Sequence, residues 1–290
     1  MAKKPKNLLE RFTQQQLLAA LLIIVAVGGL VYWRYYSANP PSALFSSANE
    51  EPAPHWPHPD PPFKLKLLNS SDPSVKWSDP LNFAISDWSQ ANSLFYAEQR
   101  IPHTTECDFY PEVVHFCSWS EPDGWIAIAG YIYWTDSGHI STGAYYLNDY
   151  YFHNYDMPQS NTDEARNFIQ CLQLGWLTGM PFRYNEKPGT TSCMQAAWGW
   201  PETVERQSPD RTDIRNLKRL YSNHTHKPGS SSISYKVPQA NEFWIQRQFG
   251  ELVRSVNGGQ YLVYSLDLGD GASMNTIVLT QVPGTTKLNN

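Results

Sequence analysis

Residues Asn161 to Phe182 read NTDEARNFIQCLQLGWLTGMPF, and after a short loop comes Ser192-Cys193-Met194. Asn161 and Glu164 make a capping-box-like start. Ala165, Phe168, Ile169, Leu172 and Trp176 follow on one face at helical spacing. Gly175 and Gly179 then break the pattern. The stretch predicts a helix, a glycine turn and a methionine-bearing loop, and the remaining elements are placed before and after it.

The chain has 290 residues, 41% hydrophobic and 17% charged, enough for one or two domains with a sizeable core. A net charge of −5 leaves no basic footprint for nucleic acid. The excess lies in Trp (11), Tyr (17) and Pro (22). So many aromatics with so little charge fit a β-containing extracytoplasmic domain with many loops or a broad contact surface. A packed aromatic core is the other reading.

Lys3, Lys4, Lys6 and Arg11 precede an uncharged run from Leu17 to Trp33, closed by Tyr32, Trp33, Tyr35 and Tyr36. At helical rise that run spans roughly 26 Å, nearly a hydrocarbon core, and its flanks complete it. Residues 1–16 are expected to be cytoplasmic, 17–36 a transmembrane helix, and the rest extracytoplasmic, because the basic residues cluster before the run. A cleaved signal peptide is the competing reading, given Ala38, Ala43 and Ala48. The aromatic belt with Arg34 is a poor start for a cleavage region, so an uncleaved anchor is favoured.

Residues 37–72 hold many prolines and read as an extended linker. His55 and His58 within it read as solvated. The four cysteines, Cys107, Cys117, Cys171 and Cys193, allow three disulfide pairings outside the cytoplasm. Cys107 with Cys117 would close a short loop, and Cys171 with Cys193 would tie the central helix to the methionine loop. No C-x-x-C or paired Cys/His spacing suggests a structural zinc site.

Residues 73–283 read as an α+β domain and 284–290 as a tail. Ser78-Asp79-Pro80 starts a helix carrying Phe83, Ile85, Trp88, Ala91, Leu94 and Phe95 to about Gln99. Glu112 to Trp119, Gly124 to Trp134 and His139 to Leu147 read as strands, and Asn148 to Pro158 as a loop. A last helix begins near Asp210, with Ile214, Leu217, Leu220 and Tyr221 as its apolar face. Phe249 to Val282 gives two or three strands, with turns at Asn257-Gly258-Gly259 and Gly269-Asp270-Gly271.

In order, Gly124 to Ala129, His139 to Gly143, Leu147 to Phe152, Cys171, Gly175, Gly179, Cys193-Met194 and Asp213 to Tyr221 resemble secreted bacterial matrixin-like metalloproteases, members of the metzincins. The closing segments Phe249-Gly250 and Asp267-Leu268-Gly269 extend the likeness, which covers about Pro73 to Val282. It implies a zincin-like fold, a mixed twisted sheet with two to three helices, with Met194 on the Met-turn. The departures fall on the chemistry. Leu172 stands at the first ligand, Gln173 at the general-base Glu, Trp176 at the second ligand and Phe182 at the third. Zinc needs about three protein donors and an open water position, and Gln has no carboxylate to take a proton.

The resemblance therefore implies a pseudoenzyme with no zinc and no cofactor. Metzincin-like domains bind peptides along a cleft-edge strand, and the segment carrying His139, Ile140, Ser141, Thr142 and Tyr145 is expected to supply that edge. His103, His115, His139 and His153 leave room for another triad, and Asp149, His153 and Asp156 form a loose polar cluster. Asn69-Ser70-Ser71 and Asn223-His224-Thr225 are glycosylation sequons. The leading expectation is an accessory subunit of a larger membrane complex, of respiratory or photosynthetic type, held by its anchor, Pro-rich linker and ectodomain. The alternatives are a stand-alone peptide-binding or inhibitory receptor, and a peptidase with a relocated site.

Overall fold

A computed structural model describes residues 54–57, 62–122, 124–153, 162–183, 191–195, 207–222, 248–256 and 260–280. All fall within one compact unit, Glu51–Asn290. The strands are β1 (Phe63–Asn69), β2 (Leu94–Arg100), β3 (Val113–Trp119), β4 (Trp125–Trp134), β5 (Ile140–Asn148), β6 (Glu251–Val256), β7 (Tyr261–Gly269) and β8 (Ala272–Thr280). The helices are α1 (Ser78–Ser89), α2 (Asp149–His153), α3 (Asp163–Leu177) and α4 (Arg211–Ser222). The domain is α+β, as expected.

The strands form one mixed sheet in the order β2-β1-β3-β5-β4-β8-β7-β6. Strands β2, β1, β3 and β5 run parallel. From β5 onward every pairing is antiparallel. Parallel neighbours need a crossover, and α1 supplies the one between β1 and β2. Antiparallel neighbours need only short turns. Gly269, Asp270 and Gly271 all take positive φ in the β7–β8 turn, where the sequence placed one.

Neighbouring residues along a strand go to opposite faces, and both faces of this sheet are packed. Val114, Phe116, Tyr145 and Leu147 join a large core with Trp88 of α1, Leu172 of α3 and Leu217 and Tyr221 of α4. Cys117, Ala144 and Tyr146 face a second core, with Cys107, Phe109, Ile128, Met274 and Val278. Among the described residues most of the aromatic side chains are core.

Helix α3 is the pivot. Its N-cap is Thr162, whose Oγ1 accepts from the Ala165 backbone at 3.1 Å, so the cap lies one residue past Asn161. Gly175 does not break the helix; Gly179 ends it. The Met180 amide reaches the Gly175 carbonyl at 3.2 Å and the Gly179 amide the Trp176 carbonyl at 2.9 Å. Those two bonds are a Schellman closure, with Gly179 at φ +82° in the left-handed position.

Several expectations are corrected. Leu94 and Phe95 belong to β2, not the first helix. Asn92, at φ +52°, turns the chain, and parallel pairing with β1 outweighs local helical spacing. The stretch read as linker contains β1, an interior strand. His55 and Trp56 within it are buried. His55 bridges to His139, so it is not solvated. The sequon Asn69 is fully buried and donates to Glu98 Oε1 at 2.6 Å, so the folded chain offers no acceptor there.

The segment expected to be a binding edge is interior. On one side of β5, residues 143–148 pair with β3; on the other, 140–147 pair with β4. His55 covers the remainder, donating to the Gly138 carbonyl at 2.9 Å and accepting from the Ile140 amide at 2.7 Å. Ile140, Thr142 and Tyr145 are fully buried. Beyond β4 the sheet continues through β8, because the closing strands pair there. Among the described residues the outermost strands are β2 and β6.

The expected anchor at 17–36, His58, His153's side chain, Asp156, the Asn223 sequon and the tail lie outside what is described. Among the described residues no helix is long and apolar enough to cross a membrane.

The Pro54–Trp56 strap crosses the end of α3 so closely that a Cβ on Gly179 would sit 1.7 Å from the Pro54 carbonyl oxygen. Gly179→Ala is expected to cost at least about 2 kcal/mol, from left-handed strain and displacement of the strap. Urea unfolding measures it. A loss below about 0.5 kcal/mol, the ordinary range for a surface change, would show that the strap is not seated there.

Candidate functional site

Leu172, Trp176, Phe182 and Met194 share one core, Gln173 follows Leu172 on α3, and all five are buried. α3 carries the first three. Phe182 follows the turn after Gly179, and the turn around Cys193 carries Met194. A Cβ on Gly175 would meet Met194 Sδ at 2.4 Å and the Trp88 ring at 2.5 Å. A glycine at this point lets the methionine loop lie directly on the helix.

The Cys171–Cys193 disulfide joins the same two pieces, and Cys107–Cys117 is the other pair. Closing a loop of 22 residues contributes about 3 kcal/mol by chain entropy. Both cysteines are consumed, so no thiol nucleophile is left among the four.

The methionine loop is fixed from below by charge. The Met194 amide donates to Ser192 Oγ at 2.9 Å, and Ser192 Oγ donates in turn to Asp213 Oδ2. Arg183 bridges Asp210 at 2.6 Å and Asp213 at 3.0 Å. Its amide also donates to the Met194 carbonyl at 3.0 Å. Burial raises the Asp213 pKa, and Asp210 beside it adds to the rise. Burial pushes Asp210 the same way, but the Arg183 guanidinium and two backbone amides outweigh it, so Asp210 ends lowered.

Aromatic rings pack around these positions. Trp176 and Phe182 stack at 5.1 Å, 11° from parallel. Tyr131 of β4 lies 5.5 Å from Trp176, and Tyr261 of β7 lies 6.0 Å from Phe182. Such pairs add roughly 0.5–1.5 kcal/mol each beyond burial. Neither amide atom of Gln173 has a hydrogen-bond partner, nor has Trp176 Nε1. A buried polar group left so costs about 1–3 kcal/mol. These residues do not fit a zinc ion: they offer no imidazole, thiolate or carboxylate.

The other candidates separate. Asp149 is buried, and the Trp77 indole donates to its Oδ1 at 2.7 Å. His139 stands against His55 with ring centroids 5.2 Å apart. His103 contacts the Ser70 carbonyl at 2.9 Å. His115 meets Ser70 Oγ at 2.9 Å, which has the look of a nucleophile pair. Its other nitrogen faces a backbone carbonyl, that of Asp108 at 3.1 Å, and both residues are fully buried. With a backbone carbonyl where a triad has a carboxylate, the pair lacks its third member. Burial lowers the His115 pKa, so the ring stays neutral around pH 7.

What sequence reading missed is the set of aromatic donors onto α3. Trp88 Nε1 reaches the Cys171 carbonyl at 3.0 Å, and Tyr96 the Leu174 carbonyl at 3.0 Å. Trp56 Nε1 reaches the Leu177 carbonyl at 2.7 Å, and Tyr221 the Thr178 carbonyl at 2.9 Å. Only the abundance of Trp and Tyr hinted at them. Comparison of the chain with models of known protein families and with curated proteins gives no match.

Burial raises the Asp149 carboxyl from 3.8 to about 7, against the Ser118 and Trp77 hydrogen bonds; Asp72 adds to the rise and His103 opposes it. The folded state therefore holds this proton more tightly than the unfolded chain. The stabilisation is complete below about pH 4 and is lost as pH climbs through about 7. The loss is on the order of 4 kcal/mol. Asp149→Asn, neutral at every pH, is expected to flatten the fall in melting temperature between about pH 5 and pH 8. Parallel curves for the two proteins would refute the assignment.

Proposed function

We propose that this chain is a non-catalytic, metalloprotease-like protein, anchored in a membrane by residues 17–36. It serves as an accessory subunit of a larger membrane complex. The carrying observation is the aromatic stack of Tyr131, Trp176, Phe182 and Tyr261 where the resemblance expects a metal and water. Metal-assisted hydrolysis needs a Lewis acid, an activated water and a base, and Leu172, Gln173, Trp176 and Phe182 supply none of them. Support for the metzincin-like reading comes from Gly175 seated on Met194, the disulfide beside it and the closure at Gly179.

With β5 interior, the ectodomain contact moves to the outer strand β6. Leu252 and Val253 there are 47% and 46% exposed, and a partner strand adds to such an edge through main-chain hydrogen bonds. The anchor, with its uncharged Leu17–Trp33 run, packs among other membrane helices, and the Pro-rich stretch links it to the domain. The stand-alone peptide receptor loses ground, because its groove strand is paired on both sides.

Purification of the full chain in mild detergent is expected to bring down partner proteins in fixed stoichiometry. Recovery as a lone monomer overturns the subunit reading. The family likeness has a separate test in the combined variant Leu172→His, Gln173→Glu, Trp176→His and Phe182→His. If the frame is of metzincin type, the oxidised variant takes up one zinc per chain by elemental analysis where the parent takes up none. A folded variant without zinc would count against the likeness.

A further inference from the structure

Away from α3, on the other face of the sheet, lies a second constellation that nothing above uses. Cys107, His115 and Cys117 are all fully buried, and their Sγ, ring-nitrogen and Sγ atoms lie within 4.8 Å of one another. Nε2 of His115 is 3.3 Å from Cys117 Sγ and 2.9 Å from Ser70 Oγ, and that oxygen is 3.3 Å from Cys117 Sγ. Separations of this size are those between neighbouring ligands around one tetrahedral ion.

The orientation of the imidazole is that of a ligand. Its Nδ1 lies 3.1 Å from the Asp108 carbonyl, which can only accept, so Nδ1 carries the proton and Nε2 presents its lone pair to the cysteines. A backbone carbonyl holding the far nitrogen is the usual support behind a metal-bound histidine. The cysteines are gripped as well. The Cys107 amide donates to Tyr146 Oη at 2.8 Å, and the two Cα atoms are 5.6 Å apart. Side-chain rotation alone can part the sulfurs to metal-ligand spacing.

We propose that Cys107, His115 and Cys117, with Ser70 Oγ or a water as fourth donor, form a metal site when the Cys107–Cys117 disulfide is reduced, and that it takes a thiophilic divalent ion of the zinc type. Disulfide and metal use the same two sulfurs and exclude one another. A cellular dithiol supplies the reduction: its thiolate attacks one sulfur, its second thiol closes a cyclic disulfide, and two electrons and two protons leave Cys107 and Cys117 as thiols. Binding of the ion releases both thiol protons to solvent.

Charge favours this occupant. Two thiolates, a neutral imidazole and a hydroxyl around a divalent ion sum to zero, which a fully buried site tolerates. Sulfur and nitrogen donors select zinc over magnesium or calcium. A surface cleft of about 350 Å³ is lined by Thr105, Glu106, Trp119, Ser120, Glu121 and Tyr146. Tyr146 is bonded to Cys107, and the Glu106 carbonyl lies 3.7 Å from Cys117 Sγ. The two glutamates give that cleft negative charge towards a cation.

Either state, disulfide or metal-bound, would tie the 101–112 segment to β3, one in an oxidising and one in a reducing environment. The inference stands independently of the accessory-subunit reading.

Cobalt(II) is the probe, added to the full chain in detergent after reduction by a trialkylphosphine. The phosphine delivers the same two electrons, taking its oxygen from water. Expected are one equivalent bound, a thiolate-to-cobalt charge-transfer band and the intense visible bands of a tetrahedral site. The oxidised chain shows none of these. Cys171→Ser with Cys193→Ser keeps the bands, Cys107→Ser with Cys117→Ser abolishes them, and His115→Ala weakens cobalt binding at least about tenfold. A reduced chain that stays folded by circular dichroism and gives no such bands overturns the proposal, as do bands that survive Cys107→Ser with Cys117→Ser. If reduction unfolds the chain, recovery of the fold on adding zinc supports the site, and failure to recover overturns it.

Discussion

The rest of the domain depends on satisfying the backbone of a helix that has almost no water around it. From Phe168 onward every residue of α3 is buried, and a helix leaves its last four carbonyls without intrahelical partners. Here each finds one. Leu174 takes the Tyr96 hydroxyl, Gly175 the Thr178 hydroxyl at 2.7 Å, Trp176 the Gly179 amide and Leu177 the Trp56 indole. These donors come from β2, from the helix end itself and from the strap, so the end of α3 is a junction of elements far apart in sequence.

That requirement links the strap, the glycines and the methionine loop. Trp56 reaches Leu177 only because Gly179 lets the strap pass, and Met194 reaches the helix only because Gly175 has no side chain. Once those contacts exist, the space between α3, β4 and β7 is apolar and ringed by aromatics. Trp176 and Phe182 complete that packing at positions where the resemblance expects ligands. Disulfide, capping and ring contacts hold that scaffold together.

The sheet shows a second consequence. Its parallel half, β2-β1-β3-β5, is built by crossovers, and its antiparallel half grows from β4 through the closing strands. The C-terminal hairpin occupies the flank of β4 and brings Tyr261 to Phe182. Strand pairing within the chain thus occupies both sides of β5, and among the described residues β2 and β6 stand at the two ends of the sheet.

Much of this was legible in the sequence. Local periodicity found α3, α4 and the strands β3, β4 and β5, because their apolar spacing matches the periods of helix and strand. Turn chemistry found Gly269-Asp270-Gly271. Residue identity alone shows that Leu172, Gln173, Trp176 and Phe182 cannot bind zinc, since donor chemistry does not depend on where a side chain lies. Tertiary structure alone decided the pairing of the four cysteines, the capture of β1 and Trp56 from a proline-rich stretch, and the interior place of β5. It also brought Ser70, Cys107, His115 and Cys117 to one point. Each of these rests on contacts between residues distant in the chain, where pairing and burial outweigh the local preferences that a sequence displays.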